Sequence, residues 1–156
     1  MNKLVVGAGG TGALALAVAA LIWWQTGAEA QPGLLPYSDP QTVARGAEVY
    51  AGYCASCHGA RLQGQPNWRD RDAEGYLPAP PHDETGHTWH HPDKQLLALT
   101  WHGTAQLVGN GYKSRMPGFK DTLNPEDVVA VLAYVKSTWP DAVIERHNDV
   151  NAQAGH

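Results

Sequence analysis

The chain has 156 residues, a formal net charge of −4 and two cysteines. That length suits one domain with attachments. The acidic balance argues against a nucleic-acid binder, which needs a basic stripe for phosphates, and two cysteines exclude a disulfide-stapled scaffold.

Residues 1–30 read as a targeting segment rather than as fold. Lys3 precedes an uncharged stretch, Leu4–Thr26, rich in Ala, Leu and Val. Two readings compete. One is a secretory signal cut at Ala28-Glu29-Ala30. The other is an uncleaved signal-anchor, favoured by the length of the apolar run and by Trp23 and Trp24 at its far end, where an interfacial belt would lie. Either exports the remainder. Residues 31–38, with Pro32, Gly33 and Pro36, read as a flexible linker.

Three helices are predicted next. The first starts with Asp39 as N-cap and Pro40 at N1. Val43, Ala47, Tyr50 and Cys54 then recur on one face, with Gly46 beside them. Residues 59–91 hold no sustained period and read as loops. The second helix runs from Pro92 to about His102, stopped by Gly103. The third opens at Asn124-Pro125 with Val128, Val131, Leu132 and Val135 as its apolar face, and Pro140 ends it. The domain is placed at 39–146 and a frayed polar tail at 147–156. The prediction is a small all-α domain.

The chemistry begins at Cys54-Ala55-Ser56-Cys57-His58. C-x-x-C-H is the attachment signature of c-type haem. Two thiols one helical turn apart can each add to a vinyl group, and the following His then lies where its imidazole can ligate iron. A thioredoxin-like C-x-x-C wants a βαβ context. A zinc site wants further regularly spaced ligands. A disulfide across two residues would be strained. One covalent haem c is therefore expected, with His58 as an iron ligand.

Met116 is the single internal Met and sits in Arg115-Met116-Pro117-Gly118. Pro117 fixes φ and Gly118 permits a tight turn, so the loop can present the thioether rigidly. The bland alternative is a Met packed into the core, but core Met belongs on helix faces. Met116 is taken as the second axial ligand, giving six-coordinate iron suited to electron transfer.

With these motifs in place, residues from about 38 to 140 resemble a class I c-type cytochrome. The resemblance implies that fold, with three main helices around the haem, and an electron carrier rather than an enzyme. It implies that Gly46 and Tyr50 cross a pair at Leu132 and Tyr134 on the last helix. It also implies that a carbonyl in Leu77-Pro78-Ala79-Pro80-Pro81 takes the His58 Nδ1–H, with Pro80 preferred and Pro78 or Pro81 open.

One stretch departs from the plain pattern. His82, Asp83, Glu84, His87, His90 and His91 fall within ten residues, and imidazole with carboxylate could bind a second metal such as Cu(II) or Zn(II). The favoured reading is a loop over the haem edge. Trp68, Trp101 and Trp139 are expected around the haem or core. Lys113, Arg115 and Lys120 surround Met116 and suggest a mildly basic docking rim.

The adopted function is a mono-haem one-electron carrier at the periplasmic side of the bacterial cytoplasmic membrane, or soluble in the periplasm if cleaved after Ala30. Its partners are donor and acceptor redox proteins, with membrane attachment through the N-terminal helix and neither nucleic acid nor a small-molecule substrate. The alternatives are a five-coordinate haem enzyme or sensor, and a copper-handling module built on residues 82–91.

Overall fold

The structure, a computed structural model, describes residues 33–155. The expected signal or anchor at 1–30 lies outside the described residues. Among them, no helix is long and apolar enough to cross a membrane, and no strand occurs.

Helix α1 spans Pro40–Tyr53. Asp39 caps it as expected: its carboxylate accepts from the Thr42 amide at 2.9 Å, filling one of the donors a helix start leaves unpaired. Cys54 keeps right-handed helical geometry (φ −114°, ψ −38°) and leads into the short α2, Ala55–His58. A 3₁₀ turn, Thr88–His90, interrupts the long loops. Then come α3 (Asp93–His102), α4 (Thr104–Val108), α5 (Pro125–Ser137) and α6 (Asp141–Gln153).

The frame is the crossing of α1 over α5. A Cβ on Gly46 would sit 2.0 Å from the Ala130 carbonyl oxygen and 2.7 Å from Tyr134 Cβ. Glycine is therefore required for the backbones to approach this closely. The answering pair is thus Ala130 and Tyr134, not Leu132 and Tyr134; Leu132 is buried in the core instead. Tyr50 and Tyr134 pack ring to ring at 5.6 Å. Val49, Leu96, Val128, Val131, Val135 and Trp139 fill the space beside the crossing. Each such side chain contributes about 1.5–3 kcal/mol by leaving water.

Helix α5 ends at Ser137, shortly before Pro140, with the Ser137 and Thr138 hydroxyls on the carbonyls of Tyr134 and Val135, both at 2.7 Å. Pro140 also stands at the N-cap position of α6. Two expectations are corrected. The predicted tail is helical through Gln153, with His147 and Asn151 fully buried. Its inward stripe is Val143, His147 and Asn151, apolar only at its start, so an apolar period does not reveal it. Nor is the described part of the linker loose. The Asp93 carboxylate accepts from the Leu34 amide at 2.6 Å and the Leu35 amide at 3.3 Å, and Leu35 is buried.

This buried junction joins three segments. The Asp93 amide donates to Asn151 Oδ1 at 2.8 Å. His147 Nε2 donates to the His91 carbonyl at 3.0 Å; a carbonyl only accepts, so that nitrogen carries the proton. Lys136 is buried nearby, donating to Asn148 Oδ1 at 2.7 Å and lying 4.6 Å from the centre of the Tyr37 ring. Burial pushes its amine down, and the Asp93 carboxylate partly offsets this.

Candidate haem site

The attachment motif forms one continuous turn after α1. The His58 amide donates to the Cys54 carbonyl at 2.9 Å, and the Tyr50 hydroxyl donates to the Gly59 carbonyl at 2.9 Å, fixing the turn to the α1–α5 frame. Both thiols are free. Cys57 is exposed; burial pushes the part-covered Cys54 thiol up to about 11, with Cys57 adding to the shift.

His58 is buried, and its Nδ1 lies 2.8 Å from the Pro80 carbonyl oxygen. Pro80 is therefore the proline of the three that makes this bond. Because the carbonyl accepts, Nδ1 carries the proton and Nε2 keeps the lone pair. Burial lowers the imidazole pKa, and the Pro80 bond works against that shift. The proline loop is held in place through Gly64. Gln65 donates its amide to the Ala79 carbonyl at 2.8 Å, and the Ala79 amide donates back to the Gln65 side chain at 2.9 Å.

His82 reaches this site by a different role from the one considered above. Its ring stacks on His58 with centroids 4.0 Å apart, and its Nδ1 bonds Thr88 Oγ1 at 2.8 Å. Trp139 spends its indole N–H on the His82 carbonyl at 2.7 Å. The other imidazoles sit against neighbouring rings: His87 stacks on Trp68 at 5.3 Å and meets His91 edge-on at 5.4 Å, and His90 stacks on Trp89 at 3.6 Å. Among the described residues, no three His, Cys, Asp or Glu side chains converge on a metal-sized site.

Met116 is positioned by α3 and α4. Phe119 and Lys120 donate their amides to the carbonyls of Thr100 and Trp101, at 3.0 and 3.1 Å. This contact brings Gly118 against the end of α3, where a Cβ would sit 2.5 Å from the His102 carbonyl carbon. Thr104 Oγ1 lies 3.7 Å from the Met116 sulfur, a weak hydroxyl contact. The expected basic rim is reduced. Arg115 is paired with Asp72 and Glu74, and Lys113 donates to the Glu74 carbonyl.

These residues fit a covalently held planar apolar group. The motif supplies two thiols in one helical turn and an imidazole whose lone-pair nitrogen is defined. Apolar surface lies open beside both segments: Tyr53 precedes the first Cys, and Leu107 and Val108, 43% and 49% exposed, lie on the helix that carries Thr104. The sequence did not reveal Gly64, Thr104 or the Arg115 pairing, because each acts on a residue distant in the chain.

The family model for cytochrome c matches residues 43–139. Over 129 residues the chain is 33% identical to the Cbb3-type cytochrome c oxidase subunit CcoP of Rubrivivax gelatinosus, a stretch covering 80% of this chain and 34% of that protein. The chain thus spans about a third of the length of that curated relative. No solved structure matches. The matched family, the helical fold and the attachment turn agree, and the chain belongs to the cytochrome c family: a class I c-type cytochrome domain that carries covalent haem c and transfers electrons.

Proposed function

We propose that the haem is attached through Cys54 and Cys57, with its iron held between His58 and Met116, and that the protein passes single electrons between redox proteins without turning over a substrate. The observation that carries this reading is the Pro80 bond to His58 Nδ1, which fixes the tautomer that leaves Nε2 to bind metal. The Met116 sulfur is engaged by a weak contact from Thr104, so its lone pairs remain suited to a soft ligand role. Bound haem supplies a one-electron iron couple, and a thioether ligand favours its reduced form. With His58 and Met116 both given to the iron, no coordination position would be left for a substrate.

The cellular setting belongs to the same proposal. The uncharged stretch Leu4–Thr26 supports export and attachment to the cytoplasmic membrane, with the haem domain on the periplasmic side. The relative's name, a subunit of a cytochrome c oxidase, supports donors and acceptors among respiratory redox proteins.

The test is Met116→Leu in the full-length holoprotein. The parent should show the weak near-infrared band of an iron–thioether bond and resist CO when reduced. The variant should lose the band, bind CO and fall in midpoint potential. An unchanged spectrum and midpoint would remove the ligand assignment. Membrane fractionation with intact mass reads out anchoring and cleavage after Ala30 together.

A further inference from the structure

Two different parts of the molecule hold the loop that carries Met116. The chain after Met116 is bonded to the end of α3. The chain before it is bonded to loop 70–76, far away in sequence. Arg115 places Nη1 2.6 Å from Asp72 Oδ2 and Nη2 2.8 Å from Glu74 Oε2. Its guanidinium carbon also lies 4.1 Å from the centre of the Tyr76 ring. Lys113 Nζ donates to the Glu74 carbonyl at 2.7 Å, and Arg71 Nη1 donates to the Gly75 carbonyl at 2.6 Å while facing Tyr112 at 5.3 Å.

Loop 70–76 is shaped to receive this arginine. Asp72 Oδ1 accepts from the amides of Glu74 and Tyr76, at 3.0 and 2.9 Å. Main-chain bonds between Asp72 and Tyr76 and from Gly75 to Asp72 close the turn. One oxygen of Asp72 therefore builds the turn, and the other meets Arg115. An isolated exposed ion pair contributes little. Here the planar fork meets two carboxylates that the turn has already oriented, and an aromatic ring backs it, so less freedom is lost on pairing.

We propose that Arg115 is a positioning residue for Met116: its fork to Asp72 and Glu74 over Tyr76 holds the chain before Met116 and so sets how readily an outside ligand displaces the sulfur. The proposal rests on Met116 being the axial ligand. It assigns loop 70–76 a task that neither the haem-attachment motif nor the Met-Pro pair indicates. Because the brace is ionic and exposed, rising ionic strength weakens it.

The experiment measures the affinity of the full-length ferric holoprotein for added imidazole, together with its near-infrared band. Arg115→Gln should bind imidazole about tenfold more tightly than the parent, the scale expected for losing a small charge network. Arg115→Lys keeps the charge but not the fork and should fall between the two. Salt should raise the parent's affinity and leave Arg115→Gln unmoved. Glu74→Gln and Tyr76→Leu each remove one part of the brace and should shift the affinity in the same direction. They carry the test if Arg115→Gln yields no holoprotein. Gly46→Ala, which strains the α1–α5 crossing, is the control for general destabilisation and should lower the melting temperature with little change in imidazole affinity. Affinities for all brace variants within about twofold of the parent, with the parent's band present, overturn the brace alone. A parent that lacks the band and matches Met116→Leu overturns the ligand assignment beneath it.

Discussion

The Pro80 carbonyl oxygen sits 2.8 Å from Nδ1 of His58, and Gly64 makes that placement possible. Gly64 has φ +66°, and a Cβ there would fall 2.4 Å from Pro81 N and 2.6 Å from the Pro80 carbonyl carbon. Gly64→Ala must either strain its own backbone or push the proline loop off the imidazole. We expect a loss of about 2 kcal/mol or more, with a changed midpoint potential in the holoprotein. Thermal melting and redox titration read both. A variant that melts and titrates like the parent would show that the loop yields without moving Pro80.

The α1–α5 crossing makes a harsher demand. A Cβ at Gly46 would meet main-chain atoms of Ala130 at 2.0 and 2.6 Å, and backbone cannot rotate aside as a side chain does. Gly46→Ala should cost about 3 kcal/mol, near the upper end of overpacking penalties. The check is the urea midpoint at unchanged slope.

Asp93 should act as the clasp between the N-terminal strap and the body of the domain. It is fully buried and accepts from the amides of Leu34 and Leu35. Asp93→Ala leaves those donors without their acceptor and should cost about 2–4 kcal/mol. Hydrogen exchange at Leu34 and Leu35 should accelerate before that of the core, and limited proteolysis should cut within 33–38. Slow exchange at both amides would place the hold on the strap elsewhere.

Acid should weaken the fold in two stages of the same sign. Burial, then neighbouring imidazoles, hold His87 below its ordinary value of 6.5; for His91 burial also leads, partly opposed by a bond from Gln95. The unfolded chain therefore takes up protons first. Stability is complete above about pH 6.5 and falls below it until the folded values are passed. A second loss begins below the ordinary carboxylate value of 3.8. Asp72 is held under that value chiefly by Arg115, so its contribution is present above it and disappears as the folded group protonates. Urea midpoints measured across this range, in the parent and in a His87→Gln/His91→Gln double variant, check the first stage. The double variant should show a shallower decline, and equal slopes would contradict it.

The sequence alone determined whatever depends on neighbours in the chain. The Asp39 and Asn124 caps, each followed by Pro, mark helix starts because capping is a bond to the next turn. The attachment turn is legible because both thiols and the imidazole lie within five residues. Only the tertiary structure decided what depends on distant partners: which proline carbonyl faces His58, that His82 stacks on that ring, that Arg115 is spent on Asp72 and Glu74, and that α6 folds inward on His147 and Asn151. Helix α6 shows why. Its buried face is largely polar, and bonds such as those to Asp93 and the His91 carbonyl offset the cost of that burial. Periodicity registers apolar surface seeking cover; it does not register a polar group whose partner lies some 56 residues away.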